Sequence, residues 1–145
     1  MDKKILQILL VEDNPGDVRM MTDLLSETGI LTQLHVSMDG ADALDFLKKR
    51  GSHGLACYPD VIILDLNIPK KNGKEVLAEI KQDDALKSIP VVILSSSEAD
   101  IDISYCYQMQ ANCYINKPHD LFNYMNVVKS ISDFWFQTVR LPILS

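Results

Sequence analysis

The sequence predicts an α/β protein: a doubly wound parallel sheet of five strands alternating with five helices. Three observations predict it. Short apolar runs recur along the chain, segments with helical spacing stand between them, and most of the runs are continuous rather than alternating. Continuous runs suit strands buried on both faces, and strands that alternate with helices imply parallel crossovers.

Ile5 to Val11 is apolar apart from Gln7 and reads as the first strand. Asn14-Pro15-Gly16-Asp17 breaks the chain, and Val18, Met21, Leu24 and Leu25 then recur at helical spacing until Gly29. Leu34-His35-Val36 alternates and reads as the second strand, turned by Asp39-Gly40. Ala43, Leu44 and Leu47 make a helix stripe that Gly51 ends, and residues 51–59 read as loop. Val61 to Leu64 is the third strand. After Pro69 to Gly73, a third helix is marked by Val76, Leu77 and Ile80. Pro90 opens the fourth strand, Val91 to Leu94, and a weaker helix carries Ile101, Tyr105 and Met109. Cys113 to Asn116 is a short fifth strand stopped by Lys117-Pro118. The last helix runs from about Leu121 into the Trp135 region. There is no internal repeat, no low-complexity tract and no linker of the length that separates domains. One domain over 1–145 is therefore expected, with an apolar extension from about 134.

Composition narrows the class. The chain has 145 residues, 47% of them apolar and 23% charged, which suits a domain with a real core and argues against disorder. A formal net charge of −6 argues against binding a phosphate backbone, so no nucleic-acid partner is expected. The three cysteines, Cys57, Cys106 and Cys113, lack metal-ligand spacing and read as reduced thiols. The apolar stretch near the N-terminus is short, broken by Gln7 and closed by Glu12-Asp13, unlike a signal peptide. No run approaches membrane-spanning length. A cytoplasmic protein with no membrane partner is expected.

In sheets of this kind ligands bind beyond the carboxyl ends of the strands. The first strand ends in Glu12-Asp13, the third in Asp65, the fourth in Ser95-Ser96-Ser97 and the fifth in Asn116-Lys117-Pro118. Three carboxylates, hydroxyls and an ammonium are thereby expected at one edge. Close carboxylates stay ionised only beside a cation, and hard oxygen ligands suit Mg²⁺. One carboxylate can act as a nucleophile toward phosphorus, giving an acyl phosphate. Asp65 is the best candidate because it stands centrally, with Glu12 and Asp13 sharing the metal. Lys117 and the Ser95 hydroxyl would steady the charge on the phosphoryl oxygens.

Taken singly, each group has an ordinary explanation. Glu12-Asp13 can simply precede a helix, Asp65 can be a turn residue, Lys117 a solvated loop lysine, and Ser97 with Glu98 a cap for the fourth helix. The joint pattern at four strand ends is what favours chemistry.

The segments L-L-V-E-D-N, L-D-L-N-I-P-K-K-N-G, I-P-V-V-I-L-S-S-S-E and Y-I-N-K-P, in order over residues 5–118, resemble the receiver domain of two-component response regulators. The V-E-D-N-P-G-D start and the F-W-F-Q-T-V-R-L-P tail are similar to the small phytochrome-associated response regulators of cyanobacteria. The resemblance implies a flavodoxin-like doubly wound (βα)5 fold with strand order 2-1-3-4-5. It implies that Asp65 is the phosphoacceptor, with Mg²⁺ held by Glu12, Asp13, Asp65 and the backbone carbonyl of Asn67. Ser95 and Lys117 fall at the family's hydroxyl and lysine positions, Pro69 and Gly73 match the loop after the phosphoacceptor, and Pro118 matches a proline usually held in cis. Tyr114 falls at the switch aromatic, so phosphorylation would draw Ser95 inward and let Tyr114 turn into the vacated space. Asn67 and Ser97, flanking the phosphoryl site, would tune hydrolysis. One departure is Gln110 where a glycine is common, which would force a left-handed Gln110 or a different helix end.

By this resemblance the protein takes a phosphoryl group from a partner histidine kinase of the phytochrome type and is not an enzyme beyond catalysing its own phosphorylation and dephosphorylation. A phosphorelay intermediate and a partner-binding pseudo-receiver are the alternatives. A flavodoxin-like electron carrier is disfavoured because Glu12-Asp13 would repel a flavin phosphate. An aspartate phosphatase usually carries a D-x-D pair, whereas this chain has D-L-N at residues 65–67. The apolar tail residues Phe134, Trp135, Phe136, Leu141, Pro142, Ile143 and Leu144 either fold back or help form a homodimer. A homodimer through the fourth helix, fifth strand, fifth helix and tail is the expectation.

Overall fold

A computed structural model describes residues 5–144. Strands β1 (Leu6–Val11), β2 (Thr32–Ser37), β3 (Val61–Leu64), β4 (Val91–Ser95) and β5 (Cys113–Asn116) form one parallel sheet in the order β2-β1-β3-β4-β5. Between and after them run α1 (Pro15–Ser26), α2 (Gly40–Leu47), α3 (Gly73–Gln82), α4 (Asp100–Gln108) and α5 (Leu121–Ile131). The fold is the flavodoxin-like (βα)5 arrangement.

Side chains alternate across a strand, so a strand covered on both faces must be apolar throughout. Leu9, Val11, Ile62, Leu64, Val91 and Ile93 lie in one cluster with Leu44 and Leu47 of α2, Val76, Leu77 and Ile80 of α3, and Cys106 of α4. Their neighbours Ile8, Leu10, Val61, Ile63, Val92 and Leu94 lie in a second cluster with Met21 and Leu25 of α1 and Tyr124, Val128 and Ile131 of α5. The continuous runs in the sequence are the two-sided burial of the sheet.

Polar caps fix where the helices begin. Asn14 accepts from Asp17 N (3.1 Å), with Pro15 opening α1. Asp39 accepts from Asp42 N (2.6 Å), so Asp39-Gly40 starts α2 rather than merely turning the chain. Asn72 and Glu75 form a reciprocal capping box on α3, and Asp120 accepts from Asn123 N (2.8 Å) on α5.

Helix α4 is the exception. Its N-cap, Ala99, offers no side-chain acceptor, and only Cys106 among its nine residues is buried. Ile101, one of the three residues that mark this helix in the sequence, is 76% exposed, and the apolar contact comes from Tyr105, Cys106 and Met109 in the second half. Gln110 takes φ 72°, so of the two alternatives the helix adopts the left-handed ending without a glycine. The Lys117–Pro118 bond is trans, whereas the resemblance implies cis; among the described residues no cis peptide occurs.

Beyond α5 the chain continues as a π-helical segment, Ser132–Thr138, and then without regular secondary structure. Trp135, Phe136 and Leu141 pack on the α1–α5 cluster and Leu144 on the other. Ile143 and Leu144 line a cleft with Ile5, Gln7, Lys49 and Tyr58, at the amino ends of the strands. Most of the tail's apolar mass is thus committed within the molecule. Phe134 and Ile143 stay exposed. No helix among the described residues is long and apolar enough to cross a membrane.

Candidate functional site

The strand order reverses between β1 and β3, so the crevice beyond their carboxyl ends is the topological switch point. The sheet ladders continue one residue past each strand: Glu12 N donates to Ser37 O and Asp65 N to Val11 O, both at 3.0 Å. These bonds fix the backbones that carry the two acids. Glu12 and Asp65 are buried, at 4% and 7% exposure, while Asp13 is exposed. Carboxylate oxygens of Glu12, Asp13 and Asp65 lie within 4.8 Å of one another, close enough to share one metal ion.

Helix α3 sets the floor. A Cβ on Gly73 would stand 2.3 Å from Asp65 O and 2.5 Å from Leu66 Cα, so only glycine lets α3 begin against the end of β3. Gly73 N then donates to Leu66 O at 2.9 Å.

Lys117 enters from the end of β5, its own N–H donating to Ser95 O at 2.7 Å. Its ammonium donates to Glu12 Oε1 (3.2 Å), Asp65 Oδ2 (3.1 Å) and Asp17 Oδ2 (3.0 Å). Burial pushes the Glu12 carboxyl up to about 8, reinforced by the hydrogen bond and charge of Asp65, and Lys117 only partly offsets this. For Lys117 burial acts to lower its pKa, but the hydrogen bond to Asp17 and the charges of Asp65 and Glu12 outweigh it and hold the ammonium above its usual range.

Asp17 joins the site without having been expected there. The signal for it is present in the sequence: Pro15 at the first position of α1 puts Asp17 in that helix's first turn, facing the carboxyl edge of the sheet. Taking Asn14 to Asp17 only as a chain break conceals it.

The other expected groups stand nearby. Asn67 is exposed, and its backbone N–H faces Asp65 Oδ1 at 3.3 Å. Ser95 is fully buried at the end of β4, and its Oγ accepts from Ser97 N at 3.2 Å. Tyr114 is half-buried against the α2–α4 cluster, and its hydroxyl donates to Ser97 O at 2.8 Å. Any movement of this ring therefore starts from a seated position. Ser97 does not cap α4 as a first-turn cap would; its hydroxyl accepts from Ala99 N at 3.3 Å.

A cluster of acids around one half-buried lysine, at the switch point of a 2-1-3-4-5 parallel sheet, defines a signal-receiver class. The chain belongs to the response regulator receiver domain family, whose model matches residues 8–129. It is 43% identical over 135 residues to the response regulator Rcp1 of Synechocystis sp., covering 93% of this chain and 92% of that protein. The crystal structure of the phosphorylated cyanobacterial phytochrome response regulator RcpA superposes with a TM-score of 0.94 at 43% identity, covering 97% of this chain and all of that one. The Mn²⁺-bound form of Rcp1 gives 0.92 at 42% identity, covering 95% and 99%.

Proposed function

We propose that this receiver is a phosphoacceptor response regulator: Asp65 takes a phosphoryl group from the phosphohistidine of a partner histidine kinase, and the acyl phosphate changes the face formed by α4, β5 and α5. The convergence of Glu12, Asp13 and Asp65 around a point also reached by Lys117 carries this reading. An Asp65 carboxylate oxygen forms the new P–O bond while the P–N bond to imidazole breaks, and the leaving imidazole takes a proton. Glu12, Asp13, Asp65 and the Asn67 carbonyl would hold Mg²⁺, which supplies the charge that such acids need to stay ionised together. Lys117 holds Asp65 in place beforehand and accompanies the phosphoryl oxygens afterwards. Ser95 donates its hydroxyl to one of those oxygens, and Tyr114 follows it.

The 43% identity to Rcp1 and RcpA supports a phytochrome-type kinase as donor. Homodimerisation is the proposed output. It is supported by Ile101 (76%), Tyr107 (48%), Leu121 (58%) and Phe122 (71%), large apolar side chains left exposed on α4 and α5. Of the tail, Phe134 remains available to that contact.

The test is labelling with acetyl phosphate and Mg²⁺, followed by intact mass. One added phosphoryl group on the native chain and none on Asp65→Asn is expected; equal labelling of both would place the nucleophile elsewhere. Sedimentation of the labelled form reads the dimer, and a monomer at every concentration would remove that element of the proposal.

A further inference from the structure

Helix α4 is poorly anchored by apolar contact, with Cys106 its one buried residue and no side-chain cap at Ala99. Polar groups hold its first half instead. Lys74, in the first turn of α3, forms an ion pair with Asp102 of α4. The other oxygen of that carboxylate, Asp102 Oδ2, accepts from Ser97 Oγ at 2.5 Å. The Tyr105 hydroxyl donates back to Lys74 O at 3.3 Å, and the Lys74 ammonium lies 5.2 Å from the centre of the Tyr105 ring. Hydrogen bonds from Lys74 and then Ser97 hold the Asp102 carboxyl below its usual range, so it is ionised in this contact.

Ser97 joins this clasp to the site. Its N–H donates to Ser95 Oγ (3.2 Å), and its carbonyl accepts from both Tyr114 OH and Asn116 Nδ2, each at 2.8 Å. Its hydroxyl is engaged by Asp102 and by Ala99 N. Every polar atom of one residue is therefore committed, to the phosphoryl-contacting serine on one side and to α4 on the other.

We propose that Ser97 is a positioning residue for the phosphoryl chemistry, and that the Lys74–Asp102 pair clasps it, and through it Ser95, in the arrangement in which Ser95 Oγ faces Ser97 N. This rests on the phosphoacceptor reading. For Ser95 Oγ to turn toward a phosphoryl group on Asp65, Ser97 N must follow it or release it. Ser97 is free to follow only when Asp102 lets go of its hydroxyl. The clasp thus opposes the phosphorylated state, and by linkage the phosphoryl group opposes the clasp. A helix with so little buried surface is the element whose position such a clasp can govern.

The experiment titrates beryllofluoride, a phosphoryl mimic, in excess Mg²⁺ into the native chain and into Asp102→Asn, Lys74→Met, their double variant, Ser97→Thr and Asp65→Asn, read by calorimetry. Asp102→Asn and Lys74→Met are expected to bind roughly five-fold more tightly than native, a coupling at the low end of the usual range. The double variant should gain no more than either single change, and Ser97→Thr, which keeps the hydroxyl, should match native. Added salt should shrink the gap between native and Asp102→Asn, because the pair is partly solvent-exposed. If the clasp merely props up the fold, these variants lose thermal stability while their beryllofluoride affinity stays within two-fold of native, and the proposal is overturned. Native binding no tighter than that of Asp65→Asn would overturn the phosphoacceptor reading and this inference with it.

Discussion

Lys117 makes its shortest carboxylate contact not with the central Asp65 but with Asp17, at 3.0 Å. The ammonium is thus shared by three acids, two on strand ends and one on α1. Removing it would leave the buried Glu12 and Asp65 and the half-buried Asp17 together without a counter-charge. Lys117→Met should lower stability at neutral pH by about 3 kcal/mol, the usual cost of breaking a buried pair. Mg²⁺ should restore most of that loss, and should bind the variant more tightly because it no longer competes with an ammonium. Urea unfolding with and without Mg²⁺ checks both; a variant as stable as native in the absence of metal would mean that the lysine is solvated.

The raised Glu12 carboxyl gives a pH dependence of definite sign. The folded chain holds this proton up to about pH 8, while the unfolded chain releases it near the ordinary value of 4.5. Between those limits the folded state binds more protons, so the Glu12 contribution to stability falls as pH rises and levels off above about 8. A metal ion must displace that proton. Mg²⁺ affinity should therefore rise by up to about ten-fold per pH unit below pH 8, then flatten. Fluorescence or calorimetric titration from about pH 5.5 to about pH 9 should show this slope in native protein and its loss in Glu12→Gln.

Gly73 and Gly29 make a matched pair. An added methyl at Gly73 meets the Asp65 carbonyl, whereas at Gly29, with φ +74°, nothing lies within 4 Å. Gly29→Ala should cost about 1 kcal/mol, the penalty of a left-handed backbone alone. Gly73→Ala should cost about 3 kcal/mol by forcing α3 off the sheet. It should also slow acetyl phosphate labelling, because the atom it displaces belongs to Asp65. Equal losses at the two positions would contradict the close approach.

The tail separates into residues that hold the fold and residues that face outward. Trp135 packs on the α1–α5 cluster, and Phe134, its ring centroid 5.2 Å away, is 51% exposed. Trp135→Ala should destabilise the monomer by about 2 kcal/mol, less than for a fully buried ring. Phe134→Ala should change stability by under about 0.5 kcal/mol and instead weaken self-association. Thermal unfolding and sedimentation of the two variants separate these roles.

The sheet is legible in the sequence because two-sided burial writes itself as apolar runs; β3 and β5 begin and end where those runs do. The acids and Lys117 are legible because strand ends announce themselves where the runs stop. Helix α4 is legible from Tyr105 and Met109 in its second half, but what anchors its first half is not, since Lys74, Ser97 and Asp102 hold it and polar contacts leave no periodic trace. Asp17 escapes notice because Asn14-Pro15 both ends one element and starts the next. Nor can composition tell whether Trp135 and Leu141 find their own domain or another copy, and the structure places both on their own.

The returning tail fixes an orientation that is useful at the bench. Leu144 lies beside Gln7 and Lys49, at the pole of the molecule opposite Glu12 and Asp65. A sensor surface that held the protein by this end would leave the acid-lined edge of the sheet turned outward.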